Sequence, residues 1–271
     1  MIFGFEERPS DSPLVECVWR TRAEQAGPFV SVAASHWEMV VTRYQGKTTL
    51  TVRGPEATAT PAICRWTGAE FFGIVFKLGA FMPHLPPGRV TNRSDANLPE
   101  ASNNSFWLNG SAWQYPAYEN ADTFVDRLVR DGLLACEPAV EAALWGRLKD
   151  MSIRTTERRF LRATGLTQGA IRQIERARHA AMLLQRGASI LDTVFETGYF
   201  DQAHLTRSLT RFVGQTPTQI TDGCRSVQLS LLYKAGLALP RYSAHADNEL
   251  RREADDDEDQ TRYVRFAGWG G

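Results

Sequence analysis

I-R-T-T-E-R-R-F-L-R-A-T-G at residues 153–165 and S-I-L-D-T-V-F-E-T-G-Y-F-D-Q-A-H-L-T-R-S-L-T-R-F-V-G at residues 189–214 decide how this chain is read. The first stretch crowds Arg154, Arg158, Arg159 and Arg162 onto one short helix that Phe160 anchors through its apolar side. In the second, one helix should end near Gly198 and another should start at Asp201. Glycine takes the positive φ that a tight inter-helix turn needs, and an aspartate carboxylate caps the orphan amides of the helix that follows. Two helices meeting across such a turn make a helix-turn-helix, whose second helix enters the major groove of DNA.

Working outward, residues 168–185 should form a long helix bridging the two units, with Ile171, Ile174, Ala177, Ala180 and Leu184 as its buried stripe. Phe124, Leu128 and Val129 form another stripe and Val140, Ala143, Leu144 and Leu148 a third, all expected to face a helical core. Ser189 followed by Asp192 has the spacing of a capping box, with Ile190 and Val194 inward. Leu205, Leu209 and Phe212 stand at i, i+4 and i+7, which leaves Gln202, Ala203, Thr206 and Arg207 on the exposed side.

The ordered motifs R-T-x-x-R-R-F, A-T-G-L-T, D-x-x-H-L-T-R and G-Q-T-P closely resemble the DNA-binding domain of AraC/XylS-type transcriptional regulators over residues 121–222. That resemblance implies two helix-turn-helix units in one chain, with both recognition helices in successive major grooves on one face of the duplex. It also implies base contacts from Arg154, Glu157 and Arg158 in the first unit and from Gln202, Ala203, Thr206 and Arg207 in the second, with Thr155 beside them. By chemistry, Arg154, Arg158 and Arg207 can each donate two parallel hydrogen bonds to guanine, and Gln202 can pair with adenine. Arg159, Arg162 and Arg211 read as phosphate clamps. Glu157 either accepts from a cytosine amino group or pairs with an adjacent arginine. A lone arginine-rich helix is most often a solvated face; two paired units shift the reading to double-stranded DNA.

Residues 1–120 read as strands. Trp37, Met39 and Val41, then Leu50 and Val52, alternate with polar residues around the turn Tyr44-Gln45-Gly46-Lys47, which makes a β-hairpin with one apolar face. Further short runs at 14–20, 29–35 and 71–78 suggest a small barrel or sandwich. The fold expected is α+β in two domains, a cupin-like β-rich barrel followed by an all-α domain with two helix-turn-helix units. G-I-V-F-K-L-G-A-F-M-P-H-L-P-P-G, residues 73–88, resembles the sensor half of some AraC-type proteins, a strand leading into a proline-rich loop near a pocket. A small-molecule effector pocket would then have Phe76, Phe81, Met82 and His84 at its mouth and Trp37 inside, although aromatics in a barrel are more often plain core.

Catalysis finds no support. Only His36 and His84 precede residue 120, without the clustered His and Glu that a cupin metal site needs, and no G-x-S-x-G is present. Cys17, Cys64, Cys136 and Cys224 have neither zinc nor disulfide-framework spacing, so no metal or cofactor is expected. No signal peptide opens the sequence and no eighteen apolar residues run together, which favours a cytoplasmic protein without a membrane partner. If the protein activates transcription, RNA polymerase joins its partners. A homodimer would read repeated sites, but no heptad seam marks one. Two other readings are carried: an amino-terminal module for protein interaction or dimerisation without a ligand, and an enzyme with a helical accessory domain.

Composition leaves room for all of this, since 43% of the 271 residues are hydrophobic and the formal net charge is zero. The charge is unevenly spread: residues 151–221 hold ten Arg and five acids, +5, against −5 elsewhere. A local basic face is what counterion release requires. Beyond residue 222 come a strand-like V-Q-L-S-L-L-Y-K and a charged segment at 247–260 that reads as disordered. Its acidic run, 255–259, reads first as a solvated tail. A sharper reading has it mimic phosphate and fold back on the arginine helices. On that reading, deleting residues 247–271 tightens DNA binding at low salt, and an unchanged affinity removes the idea.

Overall fold

The computed structural model describes residues 3–92, 95–144 and 152–222. The strand-like segment and acidic tail read from the sequence lie outside these residues. The β-rich region begins with β1 (Phe3–Arg8), β2 (Val15–Ala23), β3 (Gly27–Ser31), β4 (Glu38–Tyr44), β5 (Lys47–Arg53), β6 (Thr60–Cys64) and β7 (Glu70–Phe76). Short strands follow: β8 (Ala80–Phe81), β9 (Ala96–Asn97), β10 (Glu100–Ser102), β11 (Ser105–Leu108), β12 (Ser111–Gln114) and β13 (Ala135–Cys136). The helices are α1 (Ala121–Arg130), α2 (Pro138–Leu144), α3 (Ile153–Thr164), α4 (Gln168–Gln185), α5 (Ile190–Thr197), α6 (Gln202–Phe212) and α7 (Pro217–Thr221).

The main sheet runs in the order β1-β2-β7-β4-β5-β9, beside β10-β11-β12 and the pairs β3-β6 and β8-β13. Among the described residues no sheet closes on itself, so the expected barrel is an open set of sheets: β1 and β9 are edges, each with one neighbour. The hairpin forms in the register its alternation predicts, Tyr44 opposite Lys47 and Met39 opposite Val52. Gln45 and Gly46 turn it with positive φ of 49° and 77°, the backbone twist that matches two antiparallel strands.

Met39, Val41, Leu50, Val52 and Ile74 line the buried face of the main sheet. Phe124, Val125 and Leu128 of α1 complete that core. The sequence reading set the Phe124 and Leu128 stripe against helices; it packs on the sheet instead, and Val129 stays exposed. Period alone tells which side of a helix is buried, not what buries it. On the opposite face, the Trp19 indole lies across Gly73, where a Cβ would stand 2.2 Å from the ring. Trp19 donates its Nε1–H to Glu38, 3.0 Å away, and Arg53 reaches the same carboxylate at 3.2 Å.

A second core is built on α4, whose Ile171, Ile174, Ala177, Ala180 and Leu184 are buried as predicted. Phe160 of α3, Leu205, Leu209 and Phe212 of α6, and Ile220 of α7 close around them. Val32 and Ala33 of the β-rich region belong to the same cluster and are fully buried. The helical core is therefore finished by the loop that follows β3.

Three residues further on, that loop carries a buried polar group. Ser35 donates its hydroxyl to Glu175 of α4 at 2.5 Å and lies 3.2 Å from His36 Nδ1. Glu175 stands 3.9 Å from Arg178, both buried on α4. Because Ser35 spends its single proton on the carboxylate, His36 Nδ1 is the donor in the other contact, and Nε2 is left without a hydrogen-bond partner. Burial pushes the His36 imidazole down to about pKa 4, opposed by Glu175 and reinforced by Arg178. As the pH falls below about 6.5, the unfolded chain takes up a proton that the folded one refuses until about 4, so stability is lost through that window. Replacing His36 by Gln should lessen the drop in unfolding free energy between pH 7 and pH 4.5, read from urea denaturation, by on the order of 2–3 kcal/mol. Equal slopes for both proteins would show that His36 is not the group titrating.

Candidate nucleic-acid interface

Each helix of this region begins on a side chain. Ser152 accepts from the Thr155 amide at 3.3 Å to start α3, Thr167 accepts from Ala170 at 3.2 Å to start α4, and Ser189 accepts from Asp192 at 3.0 Å to start α5. Asp201 starts α6, its carboxylate taking the His204 amide at 2.6 Å. Glycines end α3 and α5: Gly165 has φ 75° and Gly198 φ 70°. The turn between α5 and α6 is pinned by Tyr199, buried under the Arg176 guanidinium 4.5 Å from its ring centre, with its hydroxyl 2.7 Å from Ser208. The sequence thus places α5 and α6 as a helix-turn-helix on one side of α4, while α2 and α3 pack together on the other.

With Phe160, Ala163 and Thr156 turned inward, α3 exposes Arg154, Glu157, Arg158, Leu161 and Arg162. Arg154, Arg158 and Arg162 fall at i, i+4 and i+8, one ridge of like charge that costs an isolated helix a few tenths of a kcal/mol per pair. A polyanion laid along the ridge reverses the sign of that term. Thr155 is half-buried, held by Ser152 at the cap. No ion pair is formed by Glu157 among the described residues, so the expected alternative of an adjacent arginine partner is not taken up. Arg159, expected as a phosphate clamp, has its guanidinium 2.7 Å from Glu137, just ahead of α2.

In α6, Leu205, Leu209 and Phe212 are buried and Gln202, Ala203 and Arg207 are exposed. Thr206 is half-buried, its hydroxyl donating to the Gln202 carbonyl at 2.8 Å. Arg211 is exposed at the far end of the helix, its guanidinium 5.0 Å from the Phe212 ring centre. Most of the residues expected to face DNA therefore lie on solvent-facing sides of two capped helices.

A family model described as a helix-turn-helix domain matches residues 147–222. The match leaves out α1, which packs on the sheet. The HTH-type transcriptional regulator RipA of Corynebacterium glutamicum is 32% identical over 93 residues, 34% of this chain. The chain spans only 28% of that relative's length. No solved structure matches the chain. Among the described residues, no helix is long and apolar enough to cross a membrane.

None of the five residues expected around an effector pocket lines the groove of the main sheet. Trp37 and Phe76 fill each other's space, stacked 4.0 Å apart in the sheet's core, and Trp37 donates to the Ala80 carbonyl at 2.6 Å. Met82 is fully buried, Phe81 packs against the helical core, and His84 is exposed. That groove, of about 390 Å³, opens elsewhere, between Arg20, Arg22, Arg43, Glu70 and Tyr118.

Sequence reasoning missed Ser35 and Glu175. Their trace was legible: Glu175 and Arg178 sit at i, i+3 within the apolar arc of α4, where a charge needs a partner. Also on the helical side, Leu191, Phe195 and Phe200 are exposed at 73%, 90% and 75%, around the first helix and turn of the second unit. Removing the cap by Asp201→Ala should cost about 1 kcal/mol, read as a lower melting temperature with the far-ultraviolet spectrum retained. An unaltered melting temperature would mean that Tyr199 and the apolar side alone hold the start of α6.

Proposed function

We propose that the chain is a sequence-specific, DNA-binding transcription regulator that lays α3 and α6 in major grooves of duplex DNA. One observation carries the proposal. Two side-chain-capped helices are fixed through their apolar sides to the same bridging helix, and α3 leaves Arg154 and Arg158 exposed while α6 leaves Gln202 and Arg207 exposed. Paired, rigidly held helices of this kind suit groove reading better than a solvated surface, which needs no caps and no common scaffold. The RipA relative, named as an HTH-type transcriptional regulator, points the same way.

In this reading Arg154, Arg158 and Arg207 face guanine edges and Gln202 an adenine, with Ala203 and Thr206 against thymine methyls. Glu157, which forms no ion pair among the described residues, is available to a cytosine amino group. Arg162 and Arg211 take phosphates, and Arg159 orients α3 through Glu137 rather than binding DNA. Small-molecule control of the β-rich region belongs to the proposal. A ligand there acts only by favouring one arrangement of the two regions over another, and the groove beside Arg22 and Arg43 has the volume for it.

The test is affinity selection of randomised duplex DNA, with Arg154→Ala and Arg207→Ala in parallel. A two-part motif with centres about one helical turn apart is expected. Each substitution should degrade a different half, at a cost of about 1–3 kcal/mol. Binding with a steep salt slope but no motif would overturn sequence-specific reading.

A further inference from the structure

Among the described residues, three of the contacts between the β-rich region and the helix-turn-helix domain fall where they bear on the geometry of reading. At the end of α3, Gly165 is pressed against the turn at residues 87–91. A Cβ there would stand 2.8 Å from Thr91 Oγ1 and 2.9 Å from the Gly88 nitrogen. At the end of α6, the Ala33 and Ala59 amides donate to the Phe212 and Arg211 carbonyls at 2.8 and 2.9 Å. Just beyond, Gly214 lies against Val30, which a Cβ would approach to 2.7 Å. Between these two ends, Ser35 grips Glu175 near the middle of α4 at 2.5 Å.

The loops that make these contacts are themselves joined. Ala34 and Glu56 exchange both backbone hydrogen bonds, each at 2.9 Å. The residues facing outward for base contact extend no further than the middle of the same helices, to Arg158 and Arg207. At 1.5 Å per residue, Arg158 is about 10 Å along α3 from Gly165, and Arg207 about 7 Å along α6 from Phe212. The β-rich region thus holds both recognition helices by their far ends and leaves the reading turns uncovered.

We propose that Ser35 and Glu175 are positioning residues for DNA reading: with the contacts at Gly165 and at Arg211 to Gly214, they make the β-rich region a splint that fixes the spacing between α3 and α6. The proposal rests on the DNA-binding reading above. Ser35 is only 1% exposed and Glu175 4%, so the bond between them is shielded from competing water, and loss of the donor leaves a buried acceptor unsatisfied. That loss frees the middle of the splint while the two end contacts, made by backbone and glycine, remain. Small movements at the gripped ends are carried out along α3 and α6 to the reading turns, so the splint controls which half-site spacing is accepted rather than which bases are read.

The test uses the full-length protein and the two-part operator obtained by selection, together with versions lengthened or shortened by one base pair between the halves. Wild type should lose at least about tenfold in affinity on the altered spacings, and Ser35→Ala less than about threefold. Ser35→Thr, which keeps the donor, should restore the wild-type penalty. Equal spacing penalties for folded Ser35→Ala and wild type would overturn the splint. Coupling between sites is reciprocal, so a second measurement needs no variant. In wild type, DNA with both halves should slow hydrogen exchange at the Ala33 and Ala59 amides, and DNA with one half should not; identical exchange on both would overturn it as well. Should Arg154→Ala and Arg207→Ala leave affinity for the selected DNA unchanged, the DNA reading itself falls, and the splint with it.

Discussion

Helix α4 has one wide apolar arc and must bury all of it. Ile171, Ile174, Ala177, Ala180, Ala181 and Leu184 are at most 1% exposed, and each fully buried isoleucine or leucine is worth roughly 1.5–3 kcal/mol. No single neighbour is wide enough to cover such an arc. Helices α5, α6 and α7 take one side of it, α3 the start, and Val32 and Ala33 of the β-rich region the remainder. The relative placement of the two recognition helices follows from that enclosure, since each is attached to α4 through its own buried side.

Covering the apolar arc of α4 has a second effect, on polar chemistry. A carboxylate and a guanidinium lie within the covered arc, and water cannot reach them, so hydrogen bonds from the covering loop must replace hydration. Ser35 does so for Glu175. His36, drawn into the same space, stays neutral because nothing there supplies a countercharge large enough to offset its burial. The region where the sheet meets the helices is therefore more specific in its hydrogen bonding than an apolar interface of the same size would be.

What could be read without coordinates was whatever has a local cause. Gly198 and Asp201 act on the backbone beside them, so that helix end and start were legible; so was the Gln45–Gly46 hairpin turn, and so was the side of α4 that is buried. What was not legible depends on residues far apart in sequence. Val32, Ala33 and Ala57 are small residues in loops with no period, yet they finish the helical core. Arg159 looks like its neighbours on α3 until Glu137 is found beside it. Trp37 and Phe76, aromatic enough to suggest a ligand cage, are each other's filling. The strands β1 and β6 went unread as well; Gly, Pro and charged residues interrupt the alternation that marks a strand.

The sharing of one core by two regions bears on modularity. Helix-turn-helix units invite exchange between proteins, as cassettes cut at a linker. Here a cut in front of α2 would strip Val32 and Ala33 from the core that they complete and leave Glu175 facing a foreign surface. Recombination could succeed only if the incoming β-rich region brought the same short loop with it. The unit that is inherited together is thus the helical region plus a few residues after β3, which are distant in the chain but continuous in space.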